Sequence, residues 1–446
     1  MMTYAGAIRY LESFVNYENI PAWPYKQSLK LKRFREFLAF LGNPQRKLRC
    51  IHVAGSKGKG STCVFISHIL REAGFRVGLY TSPHLVDFRE RIRILDNRHS
   101  EGVPKADFEG MIPSRCLAGM VERIRPYIIR FDASSKNGNL SFFEVYTALA
   151  FLYFVDQKVD FTVLETGLGG RLDATNTTRP MVCVITPVSY EHTDKLGNTL
   201  KEIAFEKAGI IKKEAVVISA PQAPEAEDVI RRRCLRMRAR LYRAGRDFRY
   251  GYKNNSFQIT GPFGNHRNLS INLVGEHQIS NAAVAVSAIG ALCLGGIGVS
   301  PSSLRKGLSG AVWPGRCEVV MRDPLVVLDG AQNRSSAAAL KEAVKKNFKY
   351  RRLILVLGIS KDKDIPAICA ELHELADKVI LTRANNPRAS MPCRLARYFM
   401  DKDIFITNNV RDARREAFAM AGKDDLVLVC GSLFVVGEFR GGRIYP

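Results

Sequence analysis

The chain has 446 residues, more than one ordinary hydrophobic core accommodates, so we expect two or three domains. A hydrophobic content of 46% and a charged content of 25% are typical of a globular protein and exclude a disordered or fibrous chain. No apolar run approaches the roughly 20 residues of a membrane span. The first residues lack signal-peptide architecture, and the ten cysteines form no C-x-x-C pair. We therefore expect a cytoplasmic protein with reduced thiols and no membrane partner.

The net charge of +24 admits several explanations. Nucleic-acid binding is one, supported by the basic cluster at 231–240. That cluster has helical spacing, with Leu235 and Met237 interleaved, and fits a solvated helix face equally well. A third explanation is that the positive charge attracts small polyanionic substrates. A fourth is that the proteins of the source are basic in general and that the charge has no specific function. Because no RNA-binding aromatic signature or helix-turn-helix pattern accompanies the cluster, we expect no nucleic-acid partner.

The predicted elements begin with two helices, at 4–16 and 29–41. From residue 49 onwards, apolar segments typical of buried strands alternate with segments of helical periodicity. The strands are predicted at 49–54, 77–80, 161–164, 182–185 and 215–219. The helices are predicted at 61–73, 116–128, 144–155, 199–208 and 225–238. This alternation predicts a parallel sheet covered by helices.

The second half of the chain changes character twice. Residues 243–274 are polar and rich in glycine and predict a small antiparallel sheet, which a helix of small residues follows at 280–294. A second α/β block begins near Trp313, with strands at 325–328, 353–357, 378–381, 404–406 and 426–430. Together with the lysine-containing glycine loop at 55–61, which joins the first predicted strand to the next predicted helix, these blocks predict an α/β fold: a P-loop parallel-sheet ATPase domain at 1–309 and a smaller C-terminal Rossmann-like domain at 312–446.

The most informative stretch is the glycine loop Gly55-Ser-Lys-Gly-Lys-Gly-Ser61, which joins a predicted strand to a predicted helix. Its glycines allow a tight turn with inward N–H groups, and Lys59 and the helix N-terminus add positive charge, so the loop predicts a nucleotide phosphate site. The generic P-loop pattern fits imperfectly, since Val53 stands at the first glycine position and Gly60 delays the hydroxyl to Ser61. A glycine-rich turn with an exposed lysine is the competing interpretation. The strand-loop-helix context favours the phosphate site.

Polar stretches follow other predicted strands directly, at 81–85, 164–176 and 189–194. The carboxyl ends of parallel strands share one edge of a sheet, so we expect Lys59, Ser82, Glu165 and His192 to converge there. Glu165 and Ser82 offer the hard oxygen ligands that Mg²⁺ prefers, whereas histidine is a less usual ligand for it. The alternative for Glu165 is a carboxylate that caps a helix or pairs with Arg171.

These motifs resemble the folylpolyglutamate synthase/dihydrofolate synthase family, relatives of the Mur ligases, over nearly the whole chain. The most specific matches are the stretches 165–176 and 206–212. Further matching motifs lie at 10–14, 80–84, 142–144, 192–193, 275–278, 281–282, 313–316, 329–331 and 431–433. In this family the loop reads G-x-x-G-K-G-[ST], which accounts for both misfits to the generic pattern.

The resemblance implies roles for individual residues. The residues implied to bind ATP are Gly58, Lys59, Gly60, Ser61, Asn281, Arg316 and Asp329. Those implied to hold two Mg²⁺ ions are Ser82, Glu165, His192 and a carbamylated Lys207. The pterin side of the substrate is implied to contact Ser141, Phe142, Phe143, Glu144, Leu172, Asp173 and Ala174. The residues implied to be catalytic are Lys59, Lys207 and His192.

The implied activity is an ATP- and Mg²⁺-dependent ligase of folate biosynthesis that acts as a monomer. It adds L-glutamate to dihydropteroate or a reduced folate through an acyl phosphate, and the bifunctional dihydrofolate and folylpolyglutamate synthase is the expected form. A Mur-type peptidoglycan ligase is a rival that the matches at 142–144 and 167–176 argue against. A nucleic-acid-binding P-loop ATPase is a rival of another class.

At two positions, the residues themselves question the role that the resemblance implies. Gln332 stands where the family often has histidine, and glutamine cannot titrate, which questions an acid–base role there but not ATP binding. For Lys207, the residues alone favour an ordinary exposed helix lysine paired with Glu206 or Glu202.

Overall fold

The computed structural model describes residues 2–20, 23–97, 108–253 and 256–441. A seven-stranded sheet lies in the N-terminal half, with strand order β3-β2-β4-β1-β5-β6-β7. Its strands are β1 (Cys50–Ala54), β2 (Val77–Tyr80), β3 (Ile92–Leu95), β4 (Phe161–Glu165), β5 (Pro180–Ile185), β6 (Val216–Ser219) and β7 (Arg240–Arg243). All neighbours pair in parallel except β3, which runs antiparallel to β2. Burial on both faces explains why its central strands are almost continuously apolar.

Helices cover this sheet on both faces. Those of the N-terminal half are α1 (Tyr4–Glu12), α2 (Tyr25–Ser28), α3 (Leu31–Phe40), α4 (Lys59–Glu72), α5 (Ser114–Ser134), α6 (Phe142–Asp156), α7 (Thr193–Leu196), α8 (Leu200–Ala208), α9 (Pro224–Met237), α10 (Glu276–Leu294) and α11 (Pro301–Ser309). A three-stranded antiparallel sheet of β8 (Arg249–Lys253), β9 (Ser256–Thr260) and β10 (His266–Leu269) precedes α10. Helix α10 is long and apolar enough to cross a membrane, but 72% of its apolar window is buried inside the protein, as in a core helix.

The C-terminal part has its own six-stranded sheet, in the order β11-β12-β16-β13-β14-β15. Its strands are β11 (Glu318–Arg322), β12 (Leu325–Leu328), β13 (Leu353–Leu357), β14 (Lys378–Leu381), β15 (Asp403–Ile406) and β16 (Leu426–Cys430). Its helices are α12 (Arg334–Asn347), α13 (Ile365–His373), α14 (Cys393–Ala396), α15 (Val410–Met420) and α16 (Leu433–Gly441). Only β11 is antiparallel to its neighbour.

The fold class predicted from the sequence is confirmed, and every predicted strand is present. Three strands were not predicted: β3, β7 and β11, each at the edge of its sheet. Edge strands are short and carry charged residues, which hides them from a search for apolar runs. Helix α1 ends at Glu12 and not at residue 16 as predicted. The hydroxyl of Ser13, directly after the helix, donates a hydrogen bond to the Tyr10 carbonyl. The division at 1–309 and 312–446 stays a prediction.

Candidate active site

The glycine loop lies between β1 and α4, and two of its glycines have no room for a side chain. Gly55 has φ +150°, and a Cβ there would meet Thr186 Oγ1 at 1.8 Å. Gly58 has φ +79°, and a Cβ there would meet Asn281 Oδ1 at 2.1 Å. Helix α4 starts directly afterwards at Lys59, so its free N–H groups face the loop. The predicted phosphate-loop geometry is therefore present.

Replacing Gly58 with alanine is expected to lower both stability and ATP affinity, since the new methyl group enters a left-handed backbone position and collides with Asn281. We expect a loss of about 1–3 kcal/mol in the free energy of unfolding. Chemical denaturation and ATP titration measure the two effects. Gly119→Ala is the matched control, because nothing lies within 4 Å of that helical position. An equal loss in both variants would contradict this explanation.

Glu165 ends β4 beside the glycine loop, at the sheet edge where the sequence predicts it. Its Oε2 accepts a hydrogen bond from the Ser82 backbone N–H at 3.2 Å. Burial raises the pKa of Glu165, while the positive charges of Lys59 and Arg316 oppose that rise. Lys59 itself donates to the Gly55 carbonyl at 2.9 Å. The alternative pairing of Glu165 with Arg171 is wrong, because Arg171 binds Glu206 at 2.8 Å.

Lys207 is the least expected feature of the site. Its side chain is 2% exposed, and its Nζ donates to Glu191 Oε1 at 2.6 Å and to the Gly55 carbonyl at 2.8 Å. The exposed lysine paired with Glu206 or Glu202 is therefore wrong. Burial lowers the pKa of Lys207, and the nearby carboxylate of Glu191 opposes that shift. The site thus places an amine with a depressed pKa directly under the glycine loop.

Glu191 is a site residue that the sequence reasoning missed. Burial alone would raise its pKa, but Lys207, followed by Lys59, lowers it to about 2. A second missed residue is Lys57, whose pKa burial lowers to about 8 while Glu191 opposes the shift. The position of Glu191 directly before His192 was the available signal, since both lie in the polar stretch that follows β5.

His192 precedes α7 in a left-handed conformation, with φ +46°. His192 is exposed, and desolvation by the neighbouring protein groups lowers its pKa against the opposing charge of Glu191. The imidazole is therefore neutral near pH 7, which is the form that binds metals. Lys363, in the loop between β13 and α13, acts electrostatically on His192 and on Lys57, so the second domain approaches the glycine loop here.

The second domain also supplies Arg316 and Asp329, which lie next to each other. Asp329 accepts backbone hydrogen bonds from Cys317 at 2.8 Å and Ala331 at 2.7 Å. Burial raises the pKa of Asp329, and the Arg316 charge opposes the rise. Gln332 contributes its backbone N–H to Ser336 Oγ at 3.1 Å.

Asn281 and Trp313 approach the glycine loop from outside it. Asn281 packs against Gly58 and donates to Gln278 Oε1 at 3.0 Å. The Trp313 ring lies against Gly60. Ser61, the delayed hydroxyl of the loop, is buried in the first turn of α4. Asn281 and Trp313 thus contact the glycine loop directly, and Arg316 of the C-terminal part acts electrostatically on Glu165 beside it.

The residues implied to contact the pterin surround the start of α6 and the loop after β4. Ser141 and Glu144 form the capping box of α6, and Arg33 binds Glu144 at 2.6 Å with both side chains 6% exposed. Phe142 is fully buried in the core. Phe143 packs against Gly167 and lies 6.0 Å from the Tyr80 ring. Their substrate roles stay predictions.

The neighbouring loop holds the remaining implied pterin residues, Leu172, Asp173 and Ala174. Asp173 is buried and accepts hydrogen bonds from the Leu168 backbone at 2.9 Å and from the Thr175 hydroxyl at 2.5 Å. Ala174 begins a short 3-10 helix that Asp173 caps. Asp173 therefore fixes the shape of this loop.

Glu144→Gln is expected to destabilise the protein by about 3–5 kcal/mol, the usual cost of leaving one member of a buried ion pair uncompensated. Thermal unfolding measures the loss. The paired change Arg33→Met with Glu144→Gln is expected to recover part of it, since no buried charge then remains. If Glu144→Gln unfolds at the wild-type temperature, the ion pair does not stabilise the α3–α6 contact.

The site fits Mg²⁺ better than a transition metal. Among the described residues, no group of three or more histidine, cysteine, aspartate or glutamate side chains converges as a metal cage. Mg²⁺ needs no such cage, because it keeps several waters and takes one or two carboxylates together with substrate phosphates. Glu165, with the Ser82 hydroxyl nearby, supplies a donor set of that kind.

Comparison with known proteins identifies the class. Residues 127–289 match the Mur ligase middle domain, and residues 315–433 match the Mur ligase glutamate ligase domain. The first match begins after the glycine loop and covers strands β4 to β10, and the second covers the six-stranded sheet with Arg316 and Asp329. The fold and the site together define a two-domain ligase of the Mur type.

Relatives narrow the class further. The chain is 34% identical to the dihydrofolate synthase/folylpolyglutamate synthase of Bacillus subtilis, over 96% of this chain and 99% of the relative. It is 38% identical to a probable bifunctional folylpolyglutamate synthase/dihydropteroate synthase of Halobacterium salinarum, but spans only 48% of that longer protein. The structure of Escherichia coli FolC in complex with DHPP and ADP aligns with a TM-score of 0.83 and 31% identity, over 98% and 96% of the two chains. The chain belongs to the folylpolyglutamate synthase/dihydrofolate synthase family, as the sequence motifs predict.

Proposed function

We propose that the protein uses ATP to join L-glutamate to the carboxylate of dihydropteroate or of a reduced folate, and that it performs both reactions. The observation that supports this most directly is the convergence of Lys59, Lys207 and Glu165 at one sheet edge, facing Arg316 of the second domain. The Bacillus subtilis and Escherichia coli relatives both carry the two activities in their names. We further propose that the protein acts as a monomer in the cytoplasm.

The reaction has two chemical steps. An oxygen of the acid's carboxylate attacks the γ-phosphorus of ATP, which forms an acyl phosphate and releases ADP. The neutral amine of glutamate then attacks the acyl carbon and gives up one proton to solvent as the amide bond forms, and inorganic phosphate leaves with the electrons of the broken C–O bond. Both steps bring anionic groups together, so the protein contributes mainly positioned positive charge.

Different residues of this chain supply this positive charge. The glycine loop N–H groups and Lys59 hold and neutralise the phosphates, and Arg316 adds a cation from the opposite side. Bound Mg²⁺ ions would neutralise phosphate oxygens, with Ser82, Glu165, His192 and a carbamylated Lys207 as the residues that would hold them. Burial shifts the pKa of Lys207 downward, which is the direction that an amine that takes up CO₂ requires.

Contacts between the two domains protect the acyl phosphate from water. Arg388 of the C-terminal domain donates to the Glu18 carbonyl of the N-terminal domain at 2.7 Å. Gly437 in α16 packs directly on the Leu85 carbonyl, three residues after Ser82. Because an acyl phosphate hydrolyses readily, a site enclosed between two domains suits this chemistry.

A phosphate-release assay tests the proposal. With ATP, Mg²⁺ and glutamate present, dihydropteroate and tetrahydrofolate are supplied in turn, and each is expected to stimulate phosphate release. Stimulation by only one would reduce the proposal to a single activity. No stimulation by either, or stimulation by RNA or DNA instead, would overturn it.

A further inference from the structure

The positive charge of this chain is concentrated in one short segment. Residues 231–249 contain nine arginines, no lysine and a single acidic residue, Asp247, which gives a net charge of +8. The whole chain carries +24, so 19 residues hold one third of the excess. A uniformly basic background composition does not produce such a concentration.

Two of these arginines have structural roles inside the protein. Arg243 is 15% exposed and binds Glu227 and Asp247, both at 3.0 Å. Arg233 donates to the Ile211 carbonyl at 3.2 Å. Burial, followed by the like charge of Arg236, lowers the pKa of Arg233, which shows how crowded the cations are.

Five of the other seven arginines are exposed along α9, at its C-cap and at the start of β7. Arg231 and Arg232 are 50% and 71% exposed and share one partner, Asp228. Arg236, Arg238 and Arg240 are exposed, and within the described residues they make no ion pair and no side-chain hydrogen bond. We call these five arginines the arginine surface. Its cations are largely uncompensated by protein carboxylates.

The arginine surface lies away from the ligase site. Strand β7 is the edge strand, three strand positions from β1 in the order β1-β5-β6-β7, which corresponds to about 14 Å. Arg238 and Arg240 lie at the amino end of β7, whereas the glycine loop follows the carboxyl end of β1. Charge at this position is therefore separate from the binding of ATP and of the acid.

In contrast to the expectation from the sequence, we propose that the arginine surface binds the phosphodiester backbone of a nucleic acid. Arginine presents a planar fork of donors that matches phosphate oxygens, and a group of unpaired forks at an exposed edge suits a chain of phosphates. Binding to a lipid surface fits less well, since a membrane-bound helix needs a broad apolar face. On this side of α9 only Leu235 is a large exposed apolar residue.

Fluorescence anisotropy with labelled 20-nucleotide single-stranded RNA, the matching DNA and an RNA duplex tests the proposal. We expect the full-length protein to bind at 50 mM salt and to lose affinity as salt rises. The triple variant R236E/R238E/R240E is expected to bind at least tenfold more weakly. The slope of log affinity against log salt concentration should become shallower by about 2, because each of the three lost phosphate contacts on a single strand removes about 0.7. The preferred probe identifies RNA or DNA as the ligand.

The matched control R305E/R394E/R411E makes the same change in net charge at exposed arginines of α11, α14 and α15. It is expected to keep nearly full affinity, and both variants should keep the wild-type melting temperature and ligase rate. Equal loss in the two variants would overturn the proposal, because net charge alone would then explain binding. Binding to phosphatidylserine vesicles without binding to any nucleic acid would also overturn it. The proposal would also be overturned if the arginine variant aggregated but bound nucleic acid with unchanged affinity. These side chains would then protect the β7 edge from pairing with other chains.

Discussion

Replacing Lys207 with alanine is expected to reduce glutamate-dependent turnover by about 10²- to 10³-fold, the effect of removing one preorganised charged group from a transition state. Lys207 Nζ touches both Glu191 and the Gly55 carbonyl, so the variant loses the support of the glycine loop and the proposed carbamate together. Short-chain carboxylates such as acetate are expected to restore part of the rate, because they return an anion to the emptied space. Full activity of the untreated variant would rule out the carbamate role.

The experiment with Lys207→Ala has to distinguish a loss of stability from a loss of catalysis. Lys207→Ala leaves Glu191, whose side chain is 15% exposed, without its partner, at an expected cost of about 1–3 kcal/mol. The double variant Lys207→Ala/Glu191→Gln removes the buried charge, so it should recover much of the stability but none of the rate. Lys213→Ala is the control, since that lysine follows α8 closely and its side chain is 72% exposed. A double variant that recovers the rate would show that Lys207 matters only for folding.

Lys59→Met is expected to reduce kcat by about 10³-fold while leaving the unfolding temperature nearly unchanged. The amine of Lys59 is hydrogen-bonded to the Gly55 carbonyl and acts electrostatically on Glu165, so it lies in the loop that we propose to hold the ATP phosphates. Steady-state kinetics and ATP titration measure the two consequences. A greater loss in kcat than in ATP affinity is expected, because charge develops mainly in the transition state.

The control for Lys59 is Lys361→Met. Lys361 lies in a loop of the second domain, where its amine donates to the Pro387 carbonyl at 3.0 Å, and its loss is expected to change kcat less than about twofold. A Lys59 variant that keeps wild-type kcat would contradict the assignment of the glycine loop as the phosphate site.

Local patterns predicted the parts of the site that are local in the chain. The glycine loop follows a strand and opens a helix, and this local context predicted a phosphate site although the glycine spacing departs from the generic P-loop. Glu165 and Ser82 were predicted to converge because the carboxyl ends of parallel strands share an edge. The central strands of both sheets were predicted from local apolar runs, because a strand that is buried on both faces is apolar at nearly every residue.

Contacts between distant segments were not predictable in this way. Lys207 and Glu191 are 16 residues apart and lie on different elements, so their pairing depends on how α8 packs under the glycine loop. Arg33 and Glu144 are 111 residues apart. Strand β3 alternates isoleucine with Arg93, and that arginine is buried because its Nε donates to the Glu109 carbonyl at 2.7 Å. A single sequence contains no signal for such partners.

The most direct test of the ligase activity is mass spectrometry of the product, combined with ADP quantification in the same reaction. With dihydropteroate, ATP, Mg²⁺ and glutamate, the acid is expected to gain one glutamyl residue for each ADP formed, and tetrahydrofolate is expected to gain one or more. Formation of ADP without any glutamylated product from either acid would contradict the account.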